Sequence, residues 1–253
     1  MSDAGRPDLL AIAARVAAVR ERMRLACRRA RRDESQVTLV AASKTRTPEE
    51  VVAALSVGVA DFGENRAEES VGKLARAAEL ARARELTEPR WHMIGHVQSR
   101  KAALVVGSYQ LLHSLDSLGL ARKLDRLAGE RGAAFEALVE INIAAEPNKS
   151  GYAAPAAGDR LDEAFLAELE QIAGLQHLRL VGLMAMAPIV QEQETARPYF
   201  RRLSETRELL RERLPRCDWR HLSMGMSDDY EVAIEEGATL VRIGRAVFGE
   251  RRT

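Results

Sequence analysis

The chain has 253 residues, with 38 Lys and Arg against 37 Asp and Glu, a formal net charge of +1, and 46% hydrophobic residues. That length carries one large domain or two small ones. The balanced charge leaves no electrostatic footprint for nucleic acid or an anionic membrane, and no run of 18 apolar residues offers a membrane span. The start of the chain has no signal-peptide core, and Cys27 and Cys217 show no metal-ligand spacing, so both are read as free thiols in a reducing cytoplasm.

An amphipathic helix is predicted over 8–32, where Leu9, Ile12, Val16, Val19, Met23 and Cys27 recur at steps of three or four. Residues 15–32 carry eight arginines. With no aromatics interleaved they read as a solvated outer face rather than a nucleic-acid arm. Strands then alternate with helices. The strands are expected at 37–42, 59–62, 91–94, 111–114, 135–143, 178–184, 219–222 and 239–243. The helices are expected at about 48–57, 66–86, 98–106, 117–131, 162–173, 194–213 and 228–236. Thr47-Pro-Glu-Glu50 is a capping box with proline at the first helical position, and Asp228-Asp-Tyr-Glu231 follows the same logic. Gly58, Gly132 and Gly237 supply helix stops. The stretches 76–90 and 153–158 read as helix surface and loop.

Eight strands in such alternation predict a (β/α)8 TIM barrel with an extra N-terminal helix, one domain over 1–253 with the barrel at 37–249. A doubly wound open sheet is the alternative. The unusual residues favour the barrel: Lys44, 63–65, 95–96, Asn142, 184–188, 223–227 and 242–244 all fall at C-terminal strand ends. A barrel gathers these on one face, whereas an open sheet strings them along an edge.

Lys44 ends the apolar run Val37-Thr-Leu-Val-Ala-Ala42. A lysine at the mouth of a buried strand is costly unless paired or used, and burial favours the neutral amine that attacks carbonyls. The seventh strand-end loop, Ser223-Met-Gly-Met-Ser227, offers hydroxyls, a glycine and a helix start, and the eighth, Arg242-Ile-Gly-Arg245, offers a second glycine. Taken together, opposite Lys44, these loops suit a phosphate, and the set suits pyridoxal 5′-phosphate (PLP). Arg242 lies inside a strand, where a charge needs a partner. The pyridine nitrogen of PLP is such a partner, and an arginine there keeps that nitrogen unprotonated and the ring a weak electron sink.

Of the five histidines, His92, His113 and His221 are expected in the core or barrel interior, and His96 in a loop on the active face. No metal site is expected. The pairs Met184/Met186 and Met224/Met226 read as packing, and Asp228-Asp229 as a helix cap.

These segments resemble the PLP homeostasis protein family and, more distantly, the barrel of alanine racemase. The resemblance rests on Val40-Ala-Ala-Ser-Lys-Thr45, Phe62-Gly-Glu-Asn-Arg66, Trp91-His-Met-Ile-Gly-His96 with Gln98-Ser-Arg-Lys101, Asn148-Lys-Ser-Gly151, Gly182-Leu-Met-Ala185, His221-Leu-Ser-Met-Gly-Met-Ser-Asp-Asp229, and Val241-Arg-Ile-Gly244 with Phe248-Gly249. It implies that Lys44 is the PLP-imine lysine and that Asn65 lies near the ring. It also implies that Ser223, Gly244 and Arg245 hold the phosphate, the last two through backbone N–H, and that Arg242 meets the ring nitrogen. Arg66-Ala67-Glu68 and the alanine-rich 153–160 depart from the family pattern.

The function expected is a PLP carrier in intracellular PLP homeostasis without substantial catalysis, with apo PLP-dependent enzymes as recipients and a monomer as the simplest state. The alternative is a PLP-dependent amino-acid racemase. Racemisation needs acid/base groups on both faces of the substrate, and the tyrosines at 109, 152, 199 and 230 match no racemase motif.

Overall fold

Buried strands that alternate with amphipathic helices must pair on both edges inside a helical layer. In the computed structural model, which describes residues 8–153, 161–188 and 191–250, they do so by closing into a barrel. The first half runs α1 (Leu9–Arg29), β1 (Thr38–Ala42), α2 (Pro48–Ser56), β2 (Asp61–Glu64), α3 (Ala67–Arg82), β3 (Arg90–Met93), α4 (Ala102–Ser108), β4 (Leu111–Leu115) and α5 (Leu118–Gly129). The second runs β5 (Phe135–Asn142), β6 (Tyr152–Ala153), α6 (Glu163–Ala173), β7 (Leu178–Ala185), α7 (Arg197–Arg213), β8 (His221–Ser223), α8 (Tyr230–Glu235), β9 (Leu240–Ile243) and α9 (Arg245–Phe248).

Around the barrel the order is β1-β2-β3-β4-β5-β7-β8-β9, all parallel, with Val40 of β1 against Arg242 of β9 closing the ring. This is the (β/α)8 architecture expected, and each main strand lies within two residues of its predicted bounds. Two short elements were not expected. β6 adds two residues beside Ile141 and Asn142 at the end of β5, and α9 is a single turn. The alanine-rich stretch noted above, from 154 to 160, lies outside the described residues.

A one-turn α9 is too short to cover the seam between β9 and β1. Helix α1 fills that place, packing on α2, α8 and α9 with Ile12, Val16, Val19, Met23, Ala26 and Cys27 buried. The arginines of α1 are not simply a solvated face, which corrects the sequence expectation. Arg22 and Arg29 pair with Glu231, Arg29 also with Glu235, and Arg20 donates to the carbonyls of Val57 and Gly58 at 3.0 and 2.7 Å. Acids on α8 and carbonyls at the end of α2 turn that face into a clamp, while Arg28 and Arg31 remain exposed.

Inside the barrel, Val40, Leu111, Leu138, Val181, Met184 and Leu240 form a small apolar cluster apart from the larger strand–helix core. The two-residue period of a strand then sets Ala42, His113, Glu140 and Arg242 one layer nearer the C-terminal mouth. That layer holds the chemistry.

Candidate functional site

Lys44 follows β1 in a tight turn. The Arg46 N–H donates to the Ser43 carbonyl at 2.9 Å, and Thr45 takes φ +67°. A β-branched residue with positive φ is strained, and such strain persists only where the surroundings hold it. Here they do. Ser43 N–H donates to Gly63 O at 3.0 Å, Ser43 Oγ meets Glu64 Oε1, and Lys73 of α3 bridges Glu64 Oε1 (2.6 Å) and Ser43 O (2.9 Å). The buried Ser43–Glu64–Lys73 cluster fixes the turn that presents Lys44. Sequence reasoning missed it, because Lys73 reads as one more helix-surface lysine. The turn leaves Lys44 exposed, which corrects the expectation of a lysine in a buried strand mouth.

Lys44, Thr45, Glu64, Asn65, Arg66 and Lys73 line a cleft of about 590 Å³. Asn65 therefore lies with Lys44 in one cleft. Its position depends on Gly95: a Cβ there would come within 2.2 Å of the Asn65 carbonyl oxygen.

Arg242 points into the barrel and is 5% exposed. Its Nη1 donates to Ser223 Oγ and its Nη2 to Ala185 O at 2.9 Å. Both acceptors are neutral, and among the described residues no carboxylate is in ion-pair contact with it. Burial pulls its pKa down to about 10, with the more distant Asp229 and Glu140 opposing the shift.

Ser223, expected among the phosphate contacts, is instead fully buried. Its hydroxyl lies between Arg242 and His113 Nδ1, the latter at 2.8 Å. Beyond it, His113 Nε2 is 2.9 Å from His92 Nδ1, and His92 Nε2 is 3.1 Å from Asp61 Oδ1. Burial, reinforced by His92, Arg242 and His221, pushes His113 well below the ordinary histidine range, so it is neutral. The donors then run one way: Arg242 to Ser223, Ser223 to His113, His113 to His92, and His92 to the Asp61 carboxylate. Burial raises the Asp61 pKa, but hydrogen bonds from His92 and Arg90 outweigh it and hold it at about 2. His92 and His113 are thus interior residues, as expected, with a polar task. His221 is only half-buried, at the opposite end of β8.

The phosphate-capable loops are neighbours of Lys44 rather than opposite it, because barrel closure sets β9 beside β1. A Cβ on Gly244 would lie 3.3 Å from Ala42 O, two residues before Lys44. Gly244 precedes α9, where Ala246 N–H donates to Ser227 Oγ at 3.4 Å. The Arg245 side chain points away, paired with Asp228 and Glu250. Gly225 has φ +93° and a Cβ there would strike Ala233 at 2.6 Å, so the loop after β8 folds tightly over α8. Asp229 does not cap α8 as expected. Its carboxylate turns back to accept from Met226 N–H at 2.6 Å, because the loop folds over the helix start.

Glu140 was not foreseen. It is 5% exposed on β5, and its Oε2 has no hydrogen-bond partner among the described residues. Burial, reinforced by Asp116, raises its pKa, with His96, Arg242 and Lys149 opposing. His96 lies on the mouth as expected, 3.0 Å from Asp116 Oδ2. In the sequence Glu140 alternates with apolar residues like any half-exposed strand position, so nothing marked it.

A closed parallel barrel with a lysine turn, an interior arginine and a glycine-lined strand corner at one mouth is the barrel of the alanine racemase class. Residues 14–252 match the family described as alanine racemase, N-terminal domain. The chain belongs to this family, and within it to the pyridoxal phosphate homeostasis proteins. It is 40% identical over 242 residues to the pyridoxal phosphate homeostasis protein of Aquifex aeolicus, covering 94% of this chain and 97% of the relative. It is 36% identical over 244 residues to that of Escherichia coli K12, covering 95% and 97%. Among solved structures, PipY of Synechococcus elongatus with PLP bound superposes with a TM-score of 0.76 at 32% identity, covering 94% of this chain and 100% of PipY. An alanine racemase of Clostridium difficile shares the fold at a TM-score of 0.63 and 12% identity, covering 92% of this chain and 58% of the racemase.

Proposed function

We propose that this chain binds PLP through Lys44 at the C-terminal mouth of the barrel, and holds it as a carrier in PLP homeostasis. The carrying observation is Arg242. A buried guanidinium that meets only neutral acceptors costs several kcal/mol, and a ligand atom that accepts a hydrogen bond offsets that cost. A pyridine nitrogen is such an atom. PipY, solved with PLP bound, supports the same reading.

When bound, PLP supplies an aldehyde that condenses with amines and a ring that draws electrons from the attached carbon. Lys44 is the amine held for that aldehyde, on a turn fixed by Ser43, Glu64 and Lys73. Asn65 lines the same cleft and would lie near the ring. Gly244 lets a phosphate approach the start of α9, where the backbone N–H groups of Gly244 and Arg245 would hold it. Ser227, whose hydroxyl is already at that corner, takes the place expected of Ser223. Ser223 orients Arg242 instead.

An arginine donating to the ring nitrogen keeps it unprotonated and limits electron withdrawal. The chain therefore stores and releases the cofactor rather than turning over amino acids, and apo PLP-dependent enzymes are its recipients in the cytoplasm. The deciding experiment is borohydride reduction of the PLP-loaded protein followed by peptide mapping. A pyridoxyl group on Lys44 is expected. A label elsewhere, or none, overturns the assignment. Loss of α-hydrogen from amino acids in deuterated buffer, abolished by Lys44→Ala, would overturn the carrier reading and restore the racemase alternative.

A further inference from the structure

At the other end of the barrel from Lys44, four separate segments converge on a second pocket of about 420 Å³. Its wall includes Arg32 after α1, Arg207 and Arg211 of α7, Arg220 and His221 at the start of β8, and Thr239 before β9. Among the described residues, no carboxylate is part of that wall.

The arginines are unevenly compensated. Arg220 is saturated, bonding Glu136 and Asp218 and donating its Nε to His221 Nε2 at 3.1 Å. Arg211 donates to Glu208 (3.0 Å) and to Trp219 O (3.2 Å). Arg207 shares the same Glu208 through its Nε at 2.9 Å. Its guanidinium end, Nη2, faces Gly237, 3.9 Å from where a Cβ would stand. Among the described residues the Arg32 guanidinium meets no acid, only the Ile234 carbonyl at 2.7 Å. Burial lowers the pKa of both Arg32 and Arg207, and nearby cations add to it: Arg207 acts on Arg32, and Arg211 on Arg207. Two half-buried guanidinium groups that repel each other at a concave wall are a costly arrangement for structure alone. An anion between them would relieve it.

The charge pattern also limits what that anion is. Glu136, Asp218 and Glu208 flank the arginines outside the wall, so an extended polyanion such as nucleic acid would meet them. A compact dianion inside the pocket would not. Guanidinium forks match tetrahedral oxyanions in geometry, and bidentate contact makes such pairs strong.

We propose that this pocket binds a dianionic phosphate group, either as inorganic phosphate or at the end of a small phosphomonoester. The site is separate from the mouth and does not depend on the PLP reading.

The test is calorimetric titration of the full chain with inorganic phosphate and, in parallel, with glycerol 3-phosphate, against chloride at equal ionic strength. Saturable binding of one phosphate per chain is expected in Gly244→Val, which closes the phosphate corner at the mouth, with the tighter of the two probes identifying the source. Arg32→Gln and Arg207→Gln, each added to Gly244→Val, should weaken it by about tenfold or more. Loss of binding in Gly244→Val with retention in Arg32→Gln would move the phosphate to the mouth and overturn the proposal. So would equal binding in all variants, or heat that chloride reproduces. Should Arg207→Gln fail to fold, Arg32→Gln decides, since that side chain anchors only one carbonyl.

Discussion

Arg242 Nη1 donates to the hydroxyl of Ser223, and both residues are buried in the barrel interior. That one bond ties the proposed ring-nitrogen partner to a polar chain that continues through His113 and His92 to Asp61. A buried arginine on a flexible stem is held in one rotamer by this chain and by the Ala185 carbonyl. Preorganisation of this kind lowers the cost of meeting a ligand atom.

Ser223 should therefore act on the cofactor ring and not on its phosphate. Ser223→Ala is expected to weaken PLP binding by about 1–3 kcal/mol, the cost of a lost buried hydrogen bond to a charged group. Pyridoxal, which has no phosphate, separates the two roles. If Ser223 positions Arg242, the variant loses affinity for pyridoxal as well as for PLP. If the two proteins bind pyridoxal equally and differ only with PLP, the hydroxyl touches phosphate after all.

Gly244 gives a test with little structural cost. A Cβ there would meet Ala42 O at 3.3 Å and Ala42 Cβ at 3.5 Å, tight but tolerable. Gly244→Ala should thus fold, with stability within about 1 kcal/mol of wild type. Its PLP dissociation constant should rise by about tenfold or more, because the methyl group occupies the approach to the α9 backbone. Gly244→Val should be worse. Equal PLP affinity in all three proteins removes Gly244 from the phosphate corner.

The barrel was legible in the sequence because its signal is repeated. Runs such as Val37–Ala42 and 178–184 alternate with helices, and the capping box expected at Thr47 is formed. Lys44 and Asn65 were legible as polar residues at strand ends. The interior chain was not. His92, His113 and Asp61 come from different strands, and only the pairing of β2, β3 and β4 in the barrel brings them within hydrogen-bond reach. Ser223 was misplaced for a related reason. The motif has two serines four residues apart, and they part company only because β8 ends at Ser223, which leaves Ser223 on the strand beside Arg242 and Ser227 in the loop near the start of α9. Lys73 and Glu140 gave no signal, since the groups that surround them lie on other elements.

Asp61 anchors the chain of donors at the far end of the barrel, and its acidity gives a stability signature. Its folded pKa of about 2 lies below the ordinary 3.8. A depressed carboxylate stabilises the fold above its unfolded pKa and loses that contribution as pH falls through the folded value. The size follows from the shift, about 2 kcal/mol. Urea unfolding of wild type and Asp61→Asn should differ at neutral pH, and the gap should narrow as pH falls from about 4 to about 2. A gap of constant size across that range would mean that the carboxylate's charge contributes nothing, and that the loss is one of packing.

Glu140 carries the opposite sign. Burial raises its pKa above the ordinary 4.5, with Asp116 adding to the shift. The folded protein therefore binds a proton at Glu140 more tightly than the unfolded chain does. By linkage this residue contributes least at neutral pH, and stability is regained as pH falls toward its unfolded pKa. Glu140→Gln keeps the shape and removes the ionisable group. The variant should unfold at a higher temperature than wild type at pH 7 to 8, and the advantage should shrink steadily as the pH is lowered to about 4.5, where both states of the wild-type carboxyl are increasingly protonated. Thermal unfolding followed by circular dichroism across this range is the measurement. A variant less stable than wild type at neutral pH would show that the Glu140 charge is stabilised in the fold by Arg242, His96 and Lys149, the groups that oppose the shift. The orphaned Oε2 would then belong to an ionised carboxylate poised beside Arg242, and Glu140→Gln should in that case change PLP affinity as well as stability.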